Sequence, residues 1–293
     1  MKKSTGEGLR VLVGGGSGFI GSALTRHLAS RGHSLRLISR TGASGGLSWE
    51  EVDKAGLPPC DAVINLAGAN LMGKLLWTQA YRQEVWDSRI NTNKAIARAI
   101  GKMNEAERPK VFVSASAVDE DHAPRADSWF GELTEAWEGA ADEAADATRV
   151  VKVRTGIVLG RDGGALASML PSFQFGMGNV MGDGRQYFPW VHLDDIVGLY
   201  EHAVVNDNVT GVVNGVAPDA KNAQEFAECL AKTMGTSVKF HLPAFVIETM
   251  FGSERAKLLL EGHKVIPKRT LASGYQFKHP QLEEALADVL KKK

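Results

Sequence analysis

Cysteine is scarce. Cys60 and Cys229 are the only two in 293 residues. They lie far apart, and no C-x-x-C pair occurs. That excludes a disulfide framework and points to free thiols. An excess of one charge is also lacking. Lys plus Arg number 34 and Asp plus Glu number 34, so no net field favours nucleic acid or an anionic membrane. No apolar run approaches the ~20 residues of a membrane span. Residues 1–8 are too short and polar for a signal peptide and hold no arginine-rich amphipathic stretch. Cytoplasm is therefore the default expectation. No Gly-Lys-Ser/Thr follows the glycines, which excludes a phosphate-loop kinase. No G-x-S-x-G elbow marks a hydrolase. No His, Cys and acid stand at metal-ligand spacing, so no metal is expected.

What is present is a globular composition, 44% hydrophobic and 23% charged. The most telling stretch is Val11 to Gly21, V-L-V-G-G-G-S-G-F-I-G. An apolar run ends in glycines, and a helical pattern follows with Phe19, Ile20, Ala23, Leu24 and Leu28 on its buried side. Gly15, Gly18 and Gly21 are spaced to permit a tight turn, close approach of a pyrophosphate and close helix–strand packing. The helix start supplies unpaired N–H groups to phosphates. The pattern points to dinucleotide binding.

Apolar runs at Leu9–Val13, Ser34–Ser39, Ala62–Leu66, Val111–Ser114 and Val150–Val153 alternate with helical stretches near Phe19–Arg31, Leu75–Lys102 and Asp127–Ala145. That alternation predicts an α/β fold, a doubly wound parallel sheet of Rossmann type. Gly160–Gly164 and Gly176–Gly184 read as loops. Helical stretches at Asn222–Met234, Ala244–Phe251, Glu254–Glu261 and Gln281–Leu290 predict a smaller, mostly helical substrate lobe. The expected division is 1–160 with 186–210 for the dinucleotide domain, and 161–185 with 211–293 for the lobe.

The second strand ends at Ser39 and Arg40. An NAD-selective site holds a carboxylate about there, on the ribose hydroxyls. A guanidinium instead attracts a 2′-phosphate. NADP(H) is the expected cofactor.

Several motifs then line up: Gly15–Gly21, Asn65-Leu-Ala-Gly68, Ser88-Arg89, Ser114-Ala-Ser-Ala-Val118, Arg154–Gly160, Phe188–Asp195 and Asn214–Pro218. Together they resemble the extended short-chain dehydrogenase/reductase superfamily, and within it the atypical 39U-type epimerase family. The resemblance spans essentially the whole chain. It implies cofactor contacts at Asn65, Leu66, Ala67 and Gly68. It places Glu84 and Arg89 beside the ribose and pyrophosphate. It implies an oxidoreductase or epimerase acting on a small molecule, and a two-fold helix pairing that would make a homodimer.

The superfamily's chemistry usually uses a Tyr-x-x-x-Lys pair, whose lysine lowers the tyrosine pKa. Counted from Trp137-Glu138, those places hold Phe130 and Thr134. Relatives often carry two tyrosines after the Ser-Ala-Val; here Val118 is followed by Asp119, Glu120, Asp121 and His122, which read as a solvated acidic loop. Ser114 and Ser116 are the remaining candidates for holding a carbonyl or hydroxyl oxygen, or they serve only a buried turn. Tyr187, His192 and Arg154 are candidate substrate contacts. For His192 the plainer alternative is a packed or capping role, and for Arg154 a structural ion pair. Asp194 and Asp195 read as helix-start residues, and the tryptophans as core or interface anchors. Loss of the general acid leaves a second class open: a non-catalytic NADPH-binding sensor or scaffold.

Overall fold

Alternation along each strand sends side chains to both faces of one sheet. The computed structural model describes residues 8–42, 45–71, 73–74, 77–118 and 128–291, the side chain of residue 254 excepted. The first half contains β1 (Arg10–Gly14), α1 (Phe19–Ser30), β2 (Ser34–Ser39), β3 (Leu47–Ser48), α2 (Trp49–Ala55), β4 (Ala62–Asn65), α3 (Gln79–Lys102), β5 (Val111–Ala117), α4 (Trp129–Asp142) and β6 (Arg149–Thr155). Then come β7 (Ile157–Leu159), α5 (Gly164–Gln174), β8 (Gly178–Met181), β9 (Tyr187–Phe188), β10 (Trp190–His192), α6 (Leu193–Val205) and β11 (Gly211–Gly215). The chain ends in β12 (Lys221–Asn222), α7 (Ala223–Thr233), β13 (Val238–Leu242), α8 (Ala244–Phe251), α9 (Ser253–Leu260), α10 (Lys268–Ala272) and α11 (Leu282–Leu290).

Seven parallel strands are ordered β11-β6-β5-β4-β1-β2-β3. Val11, Val13, Ile64, Val113, Val151 and Val153 face α1 and α6 through Leu24, Leu28, Ile196 and Leu199. Leu12, Val63, Phe112 and Val150 point to the other face, against Ile96 and Ile100 of α3. Burial on both faces is what a parallel sheet requires. The strand order reverses at β1, so the crevice beyond β1 and β4 is the ligand edge.

The division expected at residue 211 moves. β11 pairs in parallel with β6 along its length and closes the sheet edge, because Val213 packs into the same core as Val153. The lobe core is built instead from α5, α7 and α11. Leu166, Phe173, Phe226, Leu230, Leu282 and Leu286 meet Trp190 and Leu159 there. α5 was not expected. It lies between two glycine-rich segments and carries Pro171, both of which read as helix breakers. The short helix α10 was also missed.

Candidate functional site

The first turn of α1 is bare. Gly18 offers no side-chain cap, and no acid sits in that turn. The neighbouring helices are capped: Ser48 and Glu51 box α2, Thr78 caps α3 and Ser128 caps α4. Among the described residues, the N–H groups of Phe19, Ile20 and Gly21 have no acceptor. Such a helix start attracts an anion. The turn before it is shaped by glycine. Gly15 has φ of +74°, and a Cβ there would lie 2.7 Å from the backbone of Leu66 and Ala67. A Cβ on Gly21 would lie 2.1 Å from the Gly15 carbonyl oxygen. Gly18 is exposed and uncrowded. The ring of Phe19 is wedged against Gly160, Gly163 and Gly164.

The end of β4 forms the opposite wall. Asn65 is buried; its amide donates to Thr92 and to Asn93, the latter at 2.6 Å, and its oxygen accepts the Ala67 N–H. Asn93 in turn donates to Ser114 Oγ at 2.8 Å. This buried chain of amides fixes the ends of β4 and β5 against α3. The Leu66 N–H goes to Gly14 and the Ala69 N–H to Ser88 Oγ.

Arg89 lies directly under Gly68. A Cβ on Gly68 would sit 3.0 Å from the guanidinium carbon. Arg89 is 7% exposed, donates to the carbonyls of Ala69 and Val85, and stacks 4.9 Å from the Trp137 ring. Its Nε has no acceptor among the described residues. Burial pulls the guanidinium down to about 10, so it stays protonated at neutral pH. A buried cation that faces no carboxylate among the described residues suits a nearby phosphate. Glu84 is exposed and pairs with Lys74 at 3.6 Å. Arg89 on the same helix is buried. Ser39 Oγ accepts the Gly42 N–H, while Arg40 is exposed and makes no ion pair among the described residues.

The two serine candidates are turned inward. Ser114 is 0% exposed, donates to the Ala115 carbonyl and accepts from Asn93. Ser116 is 3% exposed and donates to Glu138 Oε1 at 2.7 Å. Arg154 grips the same carboxylate through Nε at 2.7 Å and Nη2 at 3.1 Å. Burial alone would raise the Glu138 carboxyl. Hydrogen bonds from Arg154 and Ser116, with the charges of Arg154 and Lys152, overcome burial and hold it below the ordinary range. Arg154 is thus committed to an ion pair rather than turned toward a substrate. Phe130 and Thr134 stand on α4 at four-residue intervals with Glu138, and Thr134 Oγ1 donates back to the Phe130 carbonyl. The sequence reading used Glu138 only as a landmark. The i, i+4, i+8 row of Phe130, Thr134 and Glu138 was the signal that it faces the sheet.

Tyr187 is half-buried on the lobe seam, where its N–H donates to the Gly262 carbonyl. His192 caps α6: its Nδ1 accepts the Asp194 N–H at 3.1 Å. The ring stacks on His279 at 3.8 Å, and Nε2 lies 3.4 Å from Asp288. His192 is therefore turned to the lobe helix α11 rather than to open space. His192, Asp194 and His279 come within metal-ligand reach of one another, a grouping that sequence spacing hid. The cap consumes the Nδ1 lone pair, so Nε2 carries the neutral ring's proton and presents no lone pair to a metal. Residues Asp119 to His122 lie outside the described residues.

A bare helix start behind a glycine turn, at the switch point of a parallel sheet, is the arrangement of dinucleotide-binding folds. Residues 11–214 match the sequence profile of the NAD dependent epimerase/dehydratase family. The chain belongs to that family. A second profile, a domain of unknown function (DUF1731), matches residues 242–289. The human epimerase family protein SDR39U1 is 44% identical over 96% of this chain and 100% of its own length. A crystal structure of the human protein (isoform 2) with NADPH has a TM-score of 0.91 at 43% identity, covering 96% of this chain and 98% of that one. A relative from Arabidopsis thaliana, named as chloroplastic, is 32% identical over 96% of this chain and 87% of its own. This epimerase-family chain is therefore an atypical short-chain dehydrogenase/reductase by fold and sequence. No helix among the described residues is long and apolar enough to cross a membrane.

Proposed function

We propose that the protein binds NADP(H) in the crevice between β1 and β4 and exchanges hydride with a small molecule, as an oxidoreductase or epimerase. The observation that carries this reading is the uncapped start of α1, three N–H groups without acceptors among the described residues, behind a turn that requires glycine at Gly15 and Gly21. A diphosphate supplies those acceptors. The NADPH held by the human relative supports the same choice of cofactor. Arg40, at the end of β2, is free to meet a 2′-phosphate, and Arg89 adds buried positive charge beside Gly68.

When bound, the nicotinamide supplies the hydride donor or acceptor. The chain's own residues do the rest. Asn65, Asn93 and Ser114 hold the strand ends in register. Glu138 and Arg154 lock α4 to β5 and β6. At the places implied by the resemblance, Phe130 and Thr134 provide no proton donor of the usual kind. Loss of a general acid costs about 10²–10⁴ in rate, so slow turnover is expected.

One observation favours a second reading, a non-catalytic NADPH sensor or scaffold. Ser114, Ser116, Thr134 and Glu138 are all buried and hydrogen-bonded internally. The test is calorimetric titration with NADPH, then incubation with a panel of sugars, aldehydes and ketones while reduced nicotinamide is followed by absorbance. Oxidation beyond one equivalent supports hydride exchange. Tight binding without turnover supports the sensor, and no binding rejects both. Homodimer formation and a cytoplasmic location complete the proposal; sedimentation and cell fractionation test them.

A further inference from the structure

α2 and α3 lead to the starts of β4 and β5, so both end at the edge of the sheet opposite the ligand crevice. α2 stops at Ala55, where Gly56, with φ of +79°, turns the chain toward Leu57. α3 is longer and runs on to Lys102. Ala95 and Ala99, one turn apart on α3, fill little of the space beside α2. A groove of about 160 Å³ is left between the two helices. Val52, Leu57, Ala95 and Ala99 form its floor, all of them buried. A dry cavity of about 150 Å³ takes one benzene ring, so the groove has room for a single ring and none for a nucleotide.

The rim is charged, and unevenly. Lys54, Arg98 and Lys102 line it together with Asp53. Asp53 accepts from Arg98 Nη2 at 2.8 Å, and Glu50, one turn back on α2, accepts from Lys54. Lys102 makes no ion pair among the described residues, which leaves one positive charge over. Arg98 and Lys102 stand one turn apart on the same face of α3. A guanidinium carries several N–H donors in a fork, so Arg98 can hold Asp53 and a second carboxylate together. Charge-assisted hydrogen bonds from Arg98 and Lys102 suit such an anion. An amine would meet three cations there, and a bare inorganic anion would leave the apolar floor facing water.

We propose that this groove is a second ligand site, for a small carboxylate with one apolar ring. The ring lies on the floor and the carboxylate between Arg98 and Lys102. The probe is benzoate, titrated into the isotope-labelled full chain with and without NADPH and followed by amide chemical shifts. Saturable shifts are expected in the last turn of α2, at Gly56 and Leu57, and in the last two turns of α3. The site needs no cofactor, so saturating NADPH leaves them in place. Benzylamine and acetate should each bind about tenfold more weakly, the first for its charge and the second for its missing ring. Lys102→Gln should weaken benzoate about threefold. Ala55→Phe, which brings its own ring to the groove, should weaken it about tenfold or more. Both positions are exposed, so neither change threatens the fold. The proposal is overturned if benzoate gives no saturable shift, or if its shifts gather at α1 or vanish with NADPH. Benzylamine or acetate binding as tightly as benzoate overturns it too, as does either variant binding benzoate like wild type.

Discussion

Glu138 is the residue whose removal the structure prices most directly. Its side chain is 8% exposed and that of Arg154 13%, with two short contacts between them. Solvent screening is slight at that burial. Breaking a buried pair from one side costs about 3–5 kcal/mol, because the surviving charge is left uncompensated. Glu138→Leu also strands the Ser116 hydroxyl, adding about 1 kcal/mol. Glu138→Gln keeps an oxygen for Ser116 and should fall at the lower end. Arg154→Leu should cost a similar amount, and the double Glu138→Leu/Arg154→Leu much less than the sum. Urea unfolding of the four proteins at neutral pH measures this. The pH dependence has a fixed sign. The folded carboxyl lies below its ordinary value of 4.5, so its contribution is complete above that value and is lost as acid carries it through the lower, folded one. Wild type should therefore lose more stability than Glu138→Gln as the pH falls from the ordinary carboxyl value through the lower, folded one. The reasoning is refuted if Glu138→Gln costs under about 1 kcal/mol, or if the single costs simply add in the double.

Gly21→Ala places a methyl group 2.1 Å from the Gly15 carbonyl oxygen, so α1 must shift; NADPH affinity should fall about tenfold or more by calorimetry, with the far-ultraviolet dichroism unchanged. Arg40→Ala should weaken NADPH about tenfold and leave NADH unaffected, since only the former carries the extra phosphate; equal losses for both would remove Arg40 from that role. The Cys60 thiol is 3% exposed, and burial pushes it up to about 12, so it should react with a disulfide reagent only at the rate of unfolding. Glu201 receives His27 at 2.7 Å and Arg31 at 3.1 Å, joining α1 to α6; Glu201→Gln should cost about 1 kcal/mol in urea unfolding at neutral pH.

The sheet was legible because its strands carry both faces apolar and because glycine spacing marks the first turn unambiguously. Val11, Leu12 and Val13 announce a buried strand without reference to anything distant. The site was less legible where partners come from separate elements. Ser116, Glu138 and Arg154 lie on β5, α4 and β6, and nothing local in the sequence says they converge. Glu84 shows the converse: five residues from Arg89 on one helix, it nevertheless points to solvent. His192 was readable as a cap from its place before Asp194, but its stack on His279 required the fold. The edge strand β11 was assigned to the wrong unit because its short G-V-V-N-G run carries too little apolar sequence to signal pairing with β6.

Asp195 is fully buried at the start of α6. Its carboxylate accepts the N–H groups of Lys278 and His279, and its carbonyl accepts the Tyr275 hydroxyl. The C-terminal segment Tyr275–His279 therefore supplies the hydrogen-bond partners of a carboxylate planted in the middle of the chain. Dissection follows from this: a fragment ending near residue 214 retains six of its seven strands intact yet carries a carboxylate whose partners were left behind. The two stretches recognised by separate family profiles are joined through these buried hydrogen bonds, and cutting between them should yield aggregates.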